Sequence, residues 1–531
     1  MILFFVLSYV LLSVSLYFIF QKCGEAAWKG LVPGYNFIVW CKLVGRKATH
    51  AIFLLFPIVN IFIYAGLAVD MARSFGKLKF YHSALAVLFA PFYFLYLGTN
   101  KTDKYEGPIL PKERDYRHKL HESRTNERQH KKLLSENPYK KSGIREWAEA
   151  IIFAVFAAAF IRMFLIEAYV IPTSSMEGSM LVGDFLFVSK PSYGLRMPQT
   201  VAMVPLLHNR IPILNTESYL EKPKLKYNRL KAFESIDHND PVVFNYPEGD
   251  SVYIFPNRTW SIYDFRRGSV SPEASSMIGI GQAKLVTRPM DKMDHYIKRC
   301  IGLPGDSLQI RNRQVYIDGK PGANPKYLQY MYQVYNPSGA GINTQQFSDW
   351  GISTEDQLQG VNGGSSNMML ILNNEQKAKL KAMDKNIVIE NIDMSRTQSR
   401  LFPYDTAHFG RWDLDNYGPI YIPKKGATIA LNPESIALYR RVISKYEGND
   451  FAERNGKFYV NGKEATSYTF KQNYYWMMGD NRHNSEDSRY WGFVPEDHVV
   501  GKPLLIWFSL KEGSLAKGIN WRRIFMSAGN R

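Results

Sequence analysis

Apolar residues fall in long unbroken runs over the first third of the chain and in short alternating runs over the rest. Residues 1–20, "MILFFVLSYVLLSVSLYFIF", carry no charge, and about twenty apolar residues cross a bilayer as a helix. The first lysine, Lys22, follows the run. A basic n-region is therefore missing, and a retained helix is expected rather than a cleaved leader. Runs at 50–69 and 80–98 predict two further spans, each with a proline that membrane helices tolerate. A fourth, at 147–171, carries Arg162 and Glu167 towards its far end, where long side chains reach the interface. Between these runs, 101–146 holds 13 Lys/Arg against 8 Asp/Glu and reads as a solvated cytoplasmic loop. The basic 21–49 stretch also falls inside, which puts the N-terminus and everything after 170 outside.

Beyond 170 the period changes to two. "DPVVFNYPEGD" (240–250), "SLQIRNRQVYIDGKP" (307–321), "NGKFYVNGKEA" (455–465) and "YYWMMGDNR" (474–482) alternate between turn formers, which predicts a mainly antiparallel β domain. Residues 311–321 and 454–465 echo each other as strand, Asp-Gly or Asn-Gly turn, and return. That leaves an internal duplication and a common hairpin both open. The long polar stretch 322–453 exceeds a loop and is expected to be an inserted subdomain.

Composition changes this picture little. The net charge of +18 is strongest beside apolar segments, where lipid head groups account for it. No nucleic-acid recognition signature accompanies it. Three cysteines, of which only Cys300 lies in the large C-terminal part, exclude a disulfide scaffold. No Cys or His spacing offers a metal site.

The chemistry concentrates in three stretches. "VIPTSSMEGSMLVGDFLFVSK" (170–190) sets the hydroxyls of Thr173, Ser174, Ser175 and Ser179 beside the end of an apolar run, with no histidine near. A serine needs a base to become a nucleophile, and these residues do not say which serine it is. In "DHYIKRCIGLPGD" (294–306), strand alternation turns Lys298 to the face opposite Ile297 and His295. A buried lysine loses its proton readily and becomes a base. "MMGDNRHNSEDSRYWGFVP" (477–495) holds Asp480, Arg482, Ser485, Asp487 and Arg489 between apolar flanks, which suggests a fixed network.

Taken in this order, the three stretches and "DPVVFNYP" resemble type I signal peptidases, membrane-bound serine proteases that cut signal peptides from exported preproteins. The likeness covers roughly 147–194, 236–248, 294–321 and 455–510. It implies Ser175 as nucleophile and Lys298 as general base, and no cofactor. The Ser175 N–H and the Thr173 hydroxyl would form the oxyanion hole. Ser485 would hydrogen-bond the Lys298 amine, Asp487 and Arg489 would pair, and Asp480 and Arg299 would support them. Ile171, Pro172, Met176, Tyr296 and Ile297 would line pockets for Ala-like side chains, matching A-x-A cleavage sites.

Two positions depart from the family pattern. Gly178-Ser179 stands where Pro-Thr is frequent, a change expected to loosen the turn. His483 replaces a frequent acid and is expected to be a solvated loop residue. The implied layout is three transmembrane helices in 1–100, the loop 101–146 and a helix at 147–170. A signal-peptidase-like β fold follows over 171–321 and 454–510, interrupted by the 322–453 insert. The tail 511–531, with 503–510, is expected at the lipid interface. The expected setting is the bacterial cytoplasmic membrane, multi-pass, with the catalytic domain outside. Preproteins, lipid and the export machinery are the expected partners, and nucleic acid is not. A narrow-specificity Ser/Lys maturation protease and an inactive scaffold are the rival readings.

Overall fold

The computed structural model describes residues 2–55, 59–140, 143–200, 203–211, 216–255, 259–353, 356–359 and 365–529. They form two compact units, Met1–Phe160 and Ile161–Arg531.

The first unit is helical. Helices Ile2–Lys22, Tyr35–Val44, Val59–Ser74 and Ala90–Thr99 share a core that includes Leu16, Phe20, Trp40, Leu67, Phe94 and Leu97. The expected span at 80–98 is broken. Pro91 lacks an N–H and restricts the residue before it, and helices Phe80–Leu88 and Ala90–Thr99 meet at 115°. The 50–69 run divides into a 3₁₀ stretch, Ala48–Leu55, and helix Val59–Ser74, while 56–58 lie outside the described residues. Among the described residues one straight helix, Glu146–Phe164, is long and apolar enough to cross a bilayer, or two if the bent pair is one span. The loop expected at 101–146 contains helices Ile109–Glu122 and Glu127–Ser135. Charged helix formers, (i, i+4) pairs such as Arg117–Glu113 at 2.6 Å, and the Asn126 cap on the Gln129 N–H account for them without an apolar stripe.

The helix Gly143–Phe164 stops short of the expected 170 because Ile166–Val170 pairs as a strand. Glu167 is buried there and binds Arg162 and Lys190, each at 2.7 Å, in place of reaching for the interface.

The second unit is built on a seven-stranded antiparallel sheet. Its strands are β1 (Ile166–Val170), β2 (Asp184–Ser189), β3 (Pro241–Asn245), β4 (His295–Gly302), β5 (Tyr474–Met478), β6 (Val494–Pro495) and β7 (Val499–Ser509). Their order is β1-β2-β7-β3-β4-β5-β6. Neighbouring residues on β3 feed opposite cores, as a pleated strand requires. Val243 packs with Ile171, Met176, Leu186 and Ile506, whereas Val242 packs with Phe244, Cys300, Met477 and Trp491. The segment 510–528 is tied to β7 and β2: the Phe525 N–H donates to Ile506 O, and Arg523 pairs with buried Asp184 at 2.6 Å.

The two echoing segments share a register. Leu308 pairs with Ile317 across the Asn312-Arg313 turn, and Phe451 pairs with Val460 across Asn455-Gly456. All four turn residues have φ between 47° and 73°, as two-residue hairpins demand.

The stretch expected as one insert divides. Strands Tyr330–Tyr335, Asn367–Leu372 and Val388–Asn391 enclose a small core with Phe347 and Leu380. From about Met394 onward the chain joins a larger core that also takes in Leu308, Phe458, Trp476 and Phe493. Tyr417–Tyr421 pairs directly with Ser307–Arg311.

Candidate active site

Ser175 sits in a 3₁₀ turn, Ser174–Met176, that follows β1, with Thr173 extended before it. Met176 and Met180 anchor the turn in the core. Gly178 has φ +94°, and a Cβ there would lie 2.5 Å from Tyr327 O. Ser179 is buried and donates to the Asp480 carboxylate and to Met176 O. The Gly-Ser pair expected to loosen this turn instead pins it, since glycine alone fits the close approach and the serine finds a carboxylate.

Lys298 lies in mid-β4, opposite Val242, and is 4% exposed. Its Nζ stands 2.6 Å from Ser175 Oγ. Among the described residues no ion pair engages it. Burial pulls the amine down to about 8, against the opposing charges of Asp487, Glu486 and Asp480. A large share of Lys298 is therefore neutral near pH 8, a form in which an amine can accept a proton from a neighbouring hydroxyl.

The loop 479–489 closes over both residues. Gly479 has no room for a side chain, because a Cβ would lie 2.5 Å from Ser175 O and closer still to Ser485 Oγ. The Asn481 N–H donates to Ser175 O at 3.2 Å, its amide to Ser174 O at 3.2 Å, and Asn484 to Ser174 Oγ at 3.0 Å. Arg299 binds Asp480 at 2.7 Å and Asn239 O at 2.8 Å. Arg489 binds Asp487 at 2.8 Å, both fully buried. Burial alone would raise the Asp487 carboxyl, but Arg489 and the Gly479 N–H hold it below its ordinary value.

Ser485 is buried in this loop, yet no hydrogen bond joins it to Lys298. The amine is directed to Ser175, and Ser485 Oγ is packed against Gly479. Ile171, Met176 and Ile297 come together on one face of the sheet. Pro172 and Thr173 are exposed beside Ser175. Tyr296 is separated from them: it stacks on Tyr246 at 4.6 Å and meets Trp491 on the opposite face. His295 contacts Tyr169 and His208, with ring centroids 4.9 and 4.4 Å away, and burial depresses its pKa well below the usual value.

The expectation of a solvated His483 fails. Its side chain is fully buried, with Nε2 2.7 Å from Asp415 Oδ1. Asn481, Asn484 and Asp415 are structural partners of the site that the sequence did not single out, and His483 joins them in place of facing solvent. Turn-forming asparagines are common, and only the fold brings them to Ser174, some 300 residues away. Among the described residues no cluster of His, Cys, Asp or Glu could hold a metal ion.

Comparison with known proteins gives a match to the family described as signal peptidase, peptidase S26, over residues 144–370 and 421–508. Of the stretch read as an insert, 371–420 falls outside that match. Residues 28–108 match a family of unknown function. The chain is similar to signal peptidase I of Buchnera aphidicola subsp. Acyrthosiphon pisum, at 25% identity over 405 residues, covering 74% of this chain and 88% of that protein. It is 24% identical to signal peptidase I of Haemophilus influenzae over 423 residues, 78% and 84% of the two chains. A shorter stretch of 51 residues, 10% of this chain and 20% of the other, is 50% identical to signal peptidase I of Aquifex aeolicus.

Proposed function

Because the chain belongs to the signal peptidase family, peptidase S26, and is thus a serine endopeptidase, we propose that it cuts signal peptides from exported preproteins at A-x-A-type sites with Ser175 and Lys298. Neutral Lys298 takes the Ser175 proton as Oγ attacks the scissile carbonyl carbon. The resulting oxyanion needs donors aimed at it, and the Ser175 N–H and the Thr173 hydroxyl are assigned that task. The ammonium then protonates the departing amine, the C–N bond breaks, and an acyl ester on Ser175 remains. Water, deprotonated by Lys298, attacks the ester and releases the new carboxylate, returning the proton to Ser175.

The observation that carries this reading is the 2.6 Å approach of a buried amine, titrating near 8, to the Ser175 hydroxyl. Asp487–Arg489 and Asp480–Arg299 are the supporting pairs, and Ser485 acts by packing against Gly479 within the loop. Ile171, Met176 and Ile297 make the small apolar floor that selects alanine-sized side chains, with Pro172 at its rim. Tyr296 belongs to the wall behind the base.

The proposed setting is the bacterial cytoplasmic membrane, with the apolar helices spanning it, the N-terminus and the catalytic unit outside, and lipid and the export machinery as neighbours. Support comes from an outward face of aromatic rings: Phe187 stacks on Trp507 at 5.4 Å beside Phe185, and Trp521 and Phe525 are largely exposed. Aromatic rings of this kind favour the membrane interface.

The test is cleavage of a preprotein bearing an A-x-A site by detergent-solubilised protein. Wild type should cut after the final alanine, while Ser175→Ala and Lys298→Met should lose roughly 10²-fold to 10⁴-fold or more. An active Lys298→Met would remove lysine as the base. An intact preprotein with wild type would remove the proposed substrate class.

A further inference from the structure

The loop 479–489 has two sides. One touches the nucleophile turn, as described above. The other is held by residues expected to belong to a separate insert. Gln329 runs alongside the loop, its N–H donating to Asp480 O at 3.0 Å and its carbonyl accepting from the Arg482 N–H at 2.9 Å. The Phe402 N–H donates to Arg489 O at 2.8 Å, and Arg489 donates to Leu414 O at 3.3 Å.

His483 is the centre of this second side. The Met331 N–H donates to its Nδ1 at 3.1 Å, which assigns the proton to Nε2, and Nε2 donates to Asp415 Oδ1 at 2.7 Å. Asp415 in turn accepts from Arg313 at 2.9 Å, and the Tyr330 ring lies edge-on to the imidazole, centroids 5.2 Å apart. A single imidazole therefore bridges the strand Tyr330–Tyr335, the 413–416 turn and the loop that lies over Ser175.

We propose that His483, latched by Met331 and Asp415, is a positioning residue for the Ser175–Lys298 pair, so that the segments around 329–331 and 402–415 are working parts of the active site. This rests on the reading of Ser175 and Lys298 given above. The latch acts through the backbone. Shifting His483 moves Asn481, Asn484 and Ser485 and with them the Ser174–Ser175 turn. A displacement of about 1 Å at a reacting centre can cost on the order of 100-fold. The charged groups facing His483 are Asp415, Arg313 and Arg489. Burial and the two arginines outweigh Asp415 and keep the imidazole neutral below its ordinary range, so the Met331 bond persists across the interval in which Lys298 titrates.

The test compares wild type with His483→Ala, His483→Asn and Asp415→Asn. Asparagine at 483 keeps an acceptor for the Met331 N–H. For His483→Ala, kcat on the preprotein should fall about tenfold or more with KM within about twofold. The ascending limb of the pH–kcat profile should move above 8 as water reaches Lys298. Amides of 479–489 should exchange hydrogen faster while those of β1 and β7 do not. His483→Asn should recover most of the activity, and Asp415→Asn should fall between. An unchanged kcat and limb in His483→Ala overturns the proposal, as does a loss of rate with the limb still at 8 and no rescue by asparagine. If wild type fails to cut the preprotein, the proposed function falls. The exchange measurement then still decides the latch, since local acceleration supports it and unchanged protection overturns it.

Discussion

Lys190 and Lys298, two of the lysines that leave solvent in the second unit, meet different fates. Lys190, just after β2, is largely buried and lies 2.7 Å from the Glu167 carboxylate, which also binds Arg162. Lys298 is more deeply buried and its amine meets the Ser175 hydroxyl and the Tyr296 ring, with no ion pair among the described residues. Burial lowers both amines, but at Lys190 the carboxylate works against it, and burial in turn is outweighed at Glu167, which its cationic partners hold ionised. The difference teaches that burial alone does not make a base. Of the three acids whose charge acts on Lys298, two are committed elsewhere, Asp480 to Arg299 and Asp487 to Arg489. Those two arginines spend the negative charge that would otherwise keep the lysine protonated.

This contrast can be broken most severely at Arg489. Arg489→Met would leave Asp487 buried without its partner, an arrangement that costs about 3–5 kcal/mol. Denaturant melts should show that loss. In whatever protein still folds, the freed carboxylate should raise the Lys298 pKa and push the pH–rate limb above 8.

The pH profile of wild type sharpens the same comparison. Neutral amine is the active form in the proposed mechanism, and the folded value is about 8, so kcat should rise with pH through that point. The gain between pH 7 and pH 9 should be about tenfold. A flat profile over that interval would mean that Lys298 is not the titrating base.

The smallest effect is expected at the other lysine. Glu167→Gln removes the charge between Arg162 and Lys190 but keeps the shape. Arg162 is partly exposed and water screens its share, so the stability loss should be about 1–2 kcal/mol. Activity should stay within about twofold. A large drop in rate with little loss of stability would show that the Lys190 cluster is coupled to Ser175 after all.

Much of the second unit was legible in its alternation. The parity of 294–302 placed Lys298 and His295 on opposite faces, and the Asn-Gly and Asp-Gly pairs marked hairpins whose turn residues do have positive φ. Local pattern was insufficient where a distant partner decides the outcome. His483 looks like a loop residue until Asp415, 68 positions earlier, closes on it. The apolar run at 147–171 reads as one helix because β1 alternates with residues that a membrane helix would also accept. In the first unit, hydropathy registered the run at 80–98 but not the bend at Pro91, which depends on backbone geometry rather than on apolar content.

The loop that carries Asn481 closes on Ser174 across 307 residues of chain. During synthesis at about 5–20 residues per second, roughly 15–60 seconds pass between the emergence of the serine turn and that of the loop that shapes it. Throughout that interval the nascent chain holds a serine and, later, a lysine with nothing to press them together. If Ser175 and Lys298 act as proposed, the pair stays inert until the loop around Asn481 has been made and closes on the serine turn.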